Sequence, residues 1–171
     1  MLTSRGSRNR KSNLTLSFIG CAIVLALVSA AFAQTLTIIS ADGNSTTLTV
    51  AQISAAAHVT ISADDHGSPA KFDGVPLATI LTMAGIQLGD SLRGSRLTEI
   101  LLVTAADNYK VAFALAELDP AFATREIILA DKRDGKTLGE KEGPLRIVAP
   151  GDRRPARWIR QVRVLKVIAP K

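Results

Sequence analysis

A run of twenty uncharged and mostly apolar residues, Leu14 to Ala33, decides how much of this chain is left to fold as a domain. It follows a basic N-terminus without acidic residues and ends in an A-F-A tripeptide. A basic segment, an apolar segment and a small-residue end are typical of a secretory signal peptide. We therefore predict a signal peptide over 1–33, cleaved after Ala33, and a periplasmic or secreted domain over 34–171. A retained membrane anchor is the alternative, because twenty residues suffice to span a bilayer.

Without this segment the chain is nearly neutral and has no cysteine. Residues 34–171 carry 17 basic and 15 acidic side chains, a net charge of +2, whereas the whole sequence has a formal net charge of +6. The only cysteine, Cys21, lies in the predicted signal peptide. A disulfide scaffold and a multi-cysteine metal site are therefore excluded. The 138 residues that remain are enough to form one hydrophobic core.

Basic residues concentrate towards the C-terminus. Residues 34–120 hold 4 basic and 9 acidic side chains, whereas residues 121–171 hold 13 basic and 6 acidic ones. Such a block can bind an anion through its charge and through bidentate hydrogen bonds from arginine. A solvated edge that pairs with the acidic half is the alternative. Nucleic acid is not expected as a partner, because the stretch from Arg146 onward contains one aromatic residue, Trp158, rather than a series of stacking rings.

Short segments of alternating polarity, separated by turn sequences, predict more strand than helix. Strands are predicted over 35–39, 45–50, 58–62, 99–105, 109–114, 126–130, 145–149 and 162–168. Helical turns are predicted over 50–57, 77–84, 115–122 and 155–159, and a polar loop over 63–71. The predicted class is α+β, a mixed β-rich domain with a few short helices.

Three stretches of the chain carry a recognisable pattern. They are F-D-G-V-P-L at 72–77 with the helix that follows, D-N-Y-K-V-A-F-A-L-A-E-L-D-P at 107–120, and G-P-L-R-I-V-A-P-G at 143–151 followed by A-R-W-I at 156–159. In this order and spacing they resemble the sulfite-oxidase-type molybdopterin-binding domain family, over about 72–168. The resemblance implies the fold of that domain, molybdopterin as the cofactor and an oxidoreductase context.

The third stretch also fits an anion site on physical grounds. A strand ends at Gly151, where the lack of a side chain permits a ligand to approach the backbone, and a turn rich in arginine follows. Backbone N–H groups and guanidinium groups together suit a phosphate. The resemblance implies that this segment binds the pterin phosphate, with a basic residue just before a tryptophan. The predicted cofactor-binding residues are Gly151, Arg153, Arg154, Arg157 and Trp158.

For three of these residues a simpler interpretation stays open. Core packing is the alternative for Trp158, because tryptophan is usually largely buried. Solvent exposure is the alternative for Arg153 and Arg154. By contrast, we expect Arg146 to lie in a strand, with its charge directed to solvent or to a neighbouring acid.

The chain departs from the family where metal chemistry is concerned. Enzymes of the family hold molybdenum through a cysteine upstream of the first stretch, and here that region, 63–71, has none. The family's pterin-binding histidine is missing as well, since Lys141 and Glu142 stand before the third stretch. Asp64, Asp65 and His66 are compatible with a divalent metal only if further ligands join them. We interpret them as a solvated acidic loop and predict no metal site.

The leading hypothesis is therefore an exported domain that binds a pterin-type cofactor, molybdopterin by resemblance, or another small anion. It would act as a redox accessory beside an unidentified partner protein, with no membrane attachment after signal cleavage. Two alternatives stay open. One is a molybdenum-dependent oxidoreductase whose metal has an oxygen or nitrogen ligand in place of cysteine, and the other is an interaction module without a cofactor. Whether the protein is an enzyme is left undecided by the sequence.

Overall fold

The computed structural model describes residues 34–170, which form ten strands in two sheets with short helices. The strands are β1 (Thr35–Ile39), β2 (Ser45–Thr49), β3 (Val59–Asp65), β4 (Ser68–Pro76), β5 (Ile100–Ala105), β6 (Lys110–Ala114), β7 (Ile128–Arg133), β8 (Lys136–Thr137), β9 (Arg146–Val148) and β10 (Val162–Ile168). The helices are α1 (Val50–Ser54), α2 (Leu77–Met83) and α3 (Leu115–Leu118). Three 3-10 turns cover Gly89–Ser91, Gly94–Thr98 and Pro155–Arg157. The predicted α+β class is confirmed.

The first sheet has the strand order β2-β1-β10-β5-β6. Its hairpins, β1–β2 and β5–β6, are the two that local alternation and turn residues predict. The strand β10, last in the chain, lies between them and pairs in parallel with β1, so that Ile38 is opposite Leu165. This pairing joins the two ends of the described chain in one sheet. The 3-10 turn at Pro155–Arg157, which precedes β10, contacts β6 through a hydrogen bond from Arg157 Nη1 to the Ala112 carbonyl at 3.4 Å.

The second sheet has the order β3-β4-β7-β8, and β9 pairs with β7 next to β8. Strand β4 shifts register against β7 between Asp73 and Gly74. A Cβ atom built on Gly74 would lie 2.4 Å from the carbonyl oxygen of Leu129 and 2.5 Å from the Cα atom of Ala130. Only glycine therefore permits the two strands to approach this closely, which accounts for the glycine in the F-D-G-V-P-L stretch.

The polar loop predicted over 63–71 is wrong. Strands β3 and β4 continue through this segment, and they are joined by a two-residue turn at His66 and Gly67, whose φ angles are +57° and +83°. Positive φ at both central residues is the geometry of a tight hairpin turn with the twist of its strands. The predicted solvated acidic loop is also incorrect for Asp65, because this residue is buried and pairs with two arginines.

The core consists of one cluster of buried apolar side chains from both sheets and from the helices. Helix α2 buries Leu77, Ile80 and Leu81, the spacing from which a helix is predicted there, and Gly85 follows its end with φ of +82°. Among the described residues, no helix has the length and apolar character needed to cross a bilayer.

Candidate functional site

A cavity of about 440 Å³ opens beside the turns that connect β3 to β4 and β5 to β6. We call it the basic cavity, and its walls include His66, Tyr109, Lys141, Arg146, Trp158 and Arg160. Four separate parts of the chain contribute to it: the two turns, strand β9 with the residues before it, and the 3-10 turn at Pro155–Arg157 with the segment that follows.

Arg146 is the most buried charged residue at this cavity. Its side chain is 1% exposed, and its Nη1 and Nη2 donate to Asp65 Oδ2 and Oδ1 at 3.1 and 3.3 Å. The Nη1 atom also lies 3.2 Å from Glu142 Oε2. The Nε atom is buried and has no hydrogen-bond partner among the described residues. Because an unsatisfied buried donor is costly, a hydrogen-bond acceptor brought to Nε would stabilise this arrangement.

Asp65 joins Arg146 to a second arginine. Arg133 Nη1 donates to Asp65 Oδ2 at 3.1 Å and to Glu142 Oε1 at 3.2 Å, so two arginines and two acids form one network. A third acid, the exposed Asp134, lies 3.7 Å from Arg133 Nε. Burial alone raises the pKa of the Asp65 carboxyl. The hydrogen bond from Arg146 and the charges of the surrounding arginines outweigh this effect, and the pKa lies below its ordinary value. Asp65 is therefore a permanent negative charge at neutral pH.

Aromatic rings support the two guanidinium groups. The guanidinium carbons of Arg133 and Arg146 lie 5.5 and 5.1 Å from the ring centroid of Phe72. Trp158 packs edge-on against Phe72 at 6.0 Å, and the guanidinium carbon of Arg146 lies 5.9 Å from the Trp158 ring. Cation–π contacts of this kind partly replace the hydration that a buried guanidinium loses. Phe72, the phenylalanine of the F-D-G-V-P-L stretch, therefore packs against both guanidinium groups.

The outer part of the basic cavity carries exposed cations and a ring held in place. Lys141 and Arg160 are exposed, and neither forms an ion pair with another residue in the part of the chain that the structure describes. Tyr109 is 51% exposed, yet its hydroxyl donates to the Ala156 carbonyl at 3.1 Å. The one acid in the wall, Asp107, accepts from the Tyr109 backbone N–H. The cavity therefore combines positive charge with a flat, positioned ring.

The five residues predicted to bind a cofactor do not come together at one site in the structure. Trp158 lines the basic cavity, but it is also buried in the core, where its Nε1 donates to the Ala149 carbonyl at 2.9 Å. Gly151 and Arg157 line a different cavity of about 390 Å³, which we call the Arg157 cavity. Arg153 and Arg154 are exposed and line neither of the two cavities.

In the Arg157 cavity the guanidinium is already engaged by acids. Arg157 Nε and Nη2 donate to the two carboxylate oxygens of Asp152 at 2.9 and 2.6 Å, and Nη1 donates to Glu117 Oε1 at 3.0 Å. The hydrogen bond to Asp152, opposed by burial and assisted by Glu117, raises the pKa of Arg157. The same guanidinium lies 4.5 Å from the ring centroid of Phe113. A second arginine, Arg125, also lines this cavity and donates to the Gly151 carbonyl at 3.2 Å. Two arginines thus face two acids here, whereas three cations and one acid line the basic cavity, which is therefore the more favourable of the two for an anion.

Sequence reasoning did not select Lys141, Arg146 and Arg160 as ligand-binding residues. A signal for Arg146 exists, because it stands between Leu145 and Ile147 in a buried apolar strand. A charged residue at such a place needs a buried partner of opposite charge. Its partner, Asp65, is 81 residues away, and no local pattern connects the two.

Comparison with known proteins agrees with this architecture. Residues 51–170 match the family model described as the oxidoreductase molybdopterin binding domain. A solved structure of the sulfane dehydrogenase SoxCD from Paracoccus pantotrophus superposes with a TM-score of 0.62 at 18% sequence identity, covering 80% of this chain and 38% of that one. A search of curated proteins returned no match. The predicted fold is confirmed, and the chain belongs to the oxidoreductase molybdopterin-binding domain family.

Proposed function

We propose that this chain is an exported domain whose basic cavity binds a phosphate-bearing pterin of the molybdopterin type, or a small anion of similar shape. One observation carries the proposal: the cavity has a buried arginine whose Nε lacks a hydrogen-bond partner, next to exposed cations that form no ion pair, both within residues 34–170. Phosphate oxygens are the acceptors that such donors bind most strongly. Export rests on the basic, apolar and A-F-A pattern of residues 1–33.

The size and walls of the basic cavity suit a ring-bearing anion. Its volume of about 440 Å³ falls within the usual range for small-molecule sites, roughly 300–1,000 Å³. The Tyr109 ring is exposed and held by its hydroxyl, so it offers a flat face at little entropic cost. Lys141 and Arg160 supply the charge that a phosphate requires. A ligand with both a ring and a phosphate uses both features.

The residues fit the organic part of molybdopterin but not a metal centre. The only cysteine, Cys21, lies outside the described residues, within the predicted signal peptide. Among residues 34–170, no three histidine, cysteine, aspartate or glutamate side chains come together as a metal site. Asp65, the buried acid next to His66, is already engaged by two arginines. We therefore propose a ligand-binding role, as an accessory to a redox partner protein.

Calorimetric titration with a phosphate-bearing pterin tests the proposal, with the same pterin lacking phosphate as the reference ligand. Lys141→Gln should weaken binding of the phosphorylated ligand by about tenfold or more, because a charge-assisted hydrogen bond contributes roughly 1.5–3 kcal/mol. Lys166→Gln is the matched control, because Lys166 is exposed on β10 and lines neither cavity.

Substitutions of Arg160 and Arg153 then distinguish between the two candidate sites. Arg160→Gln should weaken binding as Lys141→Gln does, whereas Arg153→Gln should leave it unchanged. The opposite ranking would move the ligand to the turn at Gly151–Trp158. Binding that is absent in the wild-type protein, or equal for the ligands with and without phosphate, would refute the proposed function.

A further inference from the structure

We propose that the outer face of the first sheet is a docking surface for an acidic protein partner, which binds there in a weak complex. The outer face consists of the residues of β1, β2, β5, β6 and β10 whose side chains point away from the core. None of them lines the basic cavity or the Arg157 cavity. The inference therefore goes beyond the proposed function and does not depend on the ligand of the basic cavity.

Strand pairing places the residues of the outer face in continuous rows. One row crosses all five strands, because each residue in it pairs with the next: Ser45, Ile39, Lys166, Leu102 and Ala112. All five are partly or fully exposed, whereas their chain neighbours in β5, β6 and β10 are buried. One side of the sheet therefore packs into the core, and the other side lies at the surface.

The centre of the outer face is apolar. Strands β5 and β10 contribute four partly exposed residues to it, Ile100, Leu102, Val164 and Ile168, and the two isoleucines pair directly. An antiparallel sheet with one solvated face usually alternates apolar residues inside with polar residues outside. An apolar patch at the surface of a soluble domain is often an interaction site.

Every charged residue in the five strands is basic. These residues are Lys110, Lys166 and Arg163, the last of which is the additional residue of a bulge in β10. None of the three forms an ion pair within residues 34–170. A second copy of this chain on the outer face would bring like charges together, whereas carboxylates of another protein would be attracted. The charges therefore favour an acidic partner over a second copy.

The size of the outer face indicates a transient complex. Five strands about 4.8 Å apart, each about five residues long at about 3.4 Å per residue, give a face on the order of 300 Å². A stable complex buries about 800 Å² on each partner, and weak encounters between redox proteins bury less. At such a small interface, electrostatic attraction mainly sets the rate of association and the choice of partner.

The test is photo-crosslinking in the native host, with benzoylphenylalanine in place of Thr104, which pairs with Lys110 on the outer face. We expect one crosslinked protein, with exposed carboxylates in the segment that mass spectrometry identifies. Reversing two charges, Lys110→Glu together with Lys166→Glu, should lower the crosslinking yield at least fivefold. The matched control is Lys71→Glu together with Lys136→Glu, which makes the same change of net charge at exposed residues of the second sheet. It should change the yield less than twofold.

Other outcomes would overturn the proposal. They are a crosslink to a second copy of this chain, no crosslink, an unchanged yield after the charge reversal on the outer face, and an equal loss of yield in the control. If a thermal melt shows that the substitution at Thr104 prevents folding, the crosslinker is placed at Ala112, which is exposed on the same face. Pterin binding is measured on the purified protein, so failure of the proposed function is distinguishable from failure of the docking surface.

Discussion

Replacing Gly74 with alanine should destabilise the domain by about 3 kcal/mol, at the upper end of the usual cost of overpacking. The new Cβ atom would lie 2.4 Å from the Leu129 carbonyl oxygen, and 2.5 and 2.8 Å from the Cα and N atoms of Ala130. Optimal separations between carbon atoms are about 3.5–4.0 Å, so the contact with the Ala130 Cα is roughly 1 Å too short. All three atoms belong to the backbone of β7, and no side-chain rotation can relieve the contact.

The strands β4 and β7 must therefore separate at the point where their register shifts. For a domain of this size, the expected loss of about 3 kcal/mol corresponds to a fall in Tm of about 10 °C. Urea unfolding followed by circular dichroism, together with a thermal melt, measures both quantities. The control is Gly139→Ala, because its Cβ would meet nothing within 4 Å and it likewise removes one glycine from the unfolded chain. Two variants that melt within about 2 °C of each other, a difference of less than about 1 kcal/mol, would refute the reasoning.

Three further predictions concern pH, export and metal. The pKa of Asp65 is lowered in the folded state, so its ion pairs stabilise the domain above its unfolded pKa, near 3.9, and this contribution is lost as the pH falls through the lowered value. As the pH decreases, the midpoint of urea unfolding should therefore fall less steeply for Asp65→Asn than for the wild-type protein. An equally steep fall in the two proteins would contradict this. Mass spectrometry of the exported protein should find Gln34 as the N-terminus, whereas an intact Met1 or a lipid on Cys21 would contradict cleavage after Ala33. X-ray absorption of protein from its native host should show no molybdenum bound to a protein sulfur, and such a signal at stoichiometric level would disprove the expectation.

Local structure followed from the sequence at several elements that depend on residues close together along the chain. The turn at Asp134 and Gly135, the hairpin around Asn108 and the helix beginning at Leu77 were all predictable, because each depends on neighbouring residues. The turn at His66 and Gly67 was missed, because its polar and proline-containing flanks are typical of a loop rather than of strands.

The site itself was less predictable, because it is assembled by pairings that are distant in the sequence. Asp65 and Arg146 are 81 residues apart. The residues next to each of them in the sequence do not indicate that the two side chains pair. The 3-10 turn at Pro155–Arg157 places Trp158 at the basic cavity and Arg157 at the other one. A cluster of basic residues in the sequence therefore became two separate surfaces in the fold, which no local pattern encodes.

Mapping of backbone amide chemical shifts by NMR, during titration with a phosphate-bearing pterin, tests the central claim most directly because it locates the ligand. If the basic cavity is the binding site, the largest shifts fall on Tyr109, Lys141 and Arg160, with smaller ones elsewhere. Shifts concentrated on Gly151 and Arg157 would contradict this account and would assign the ligand to the Arg157 cavity.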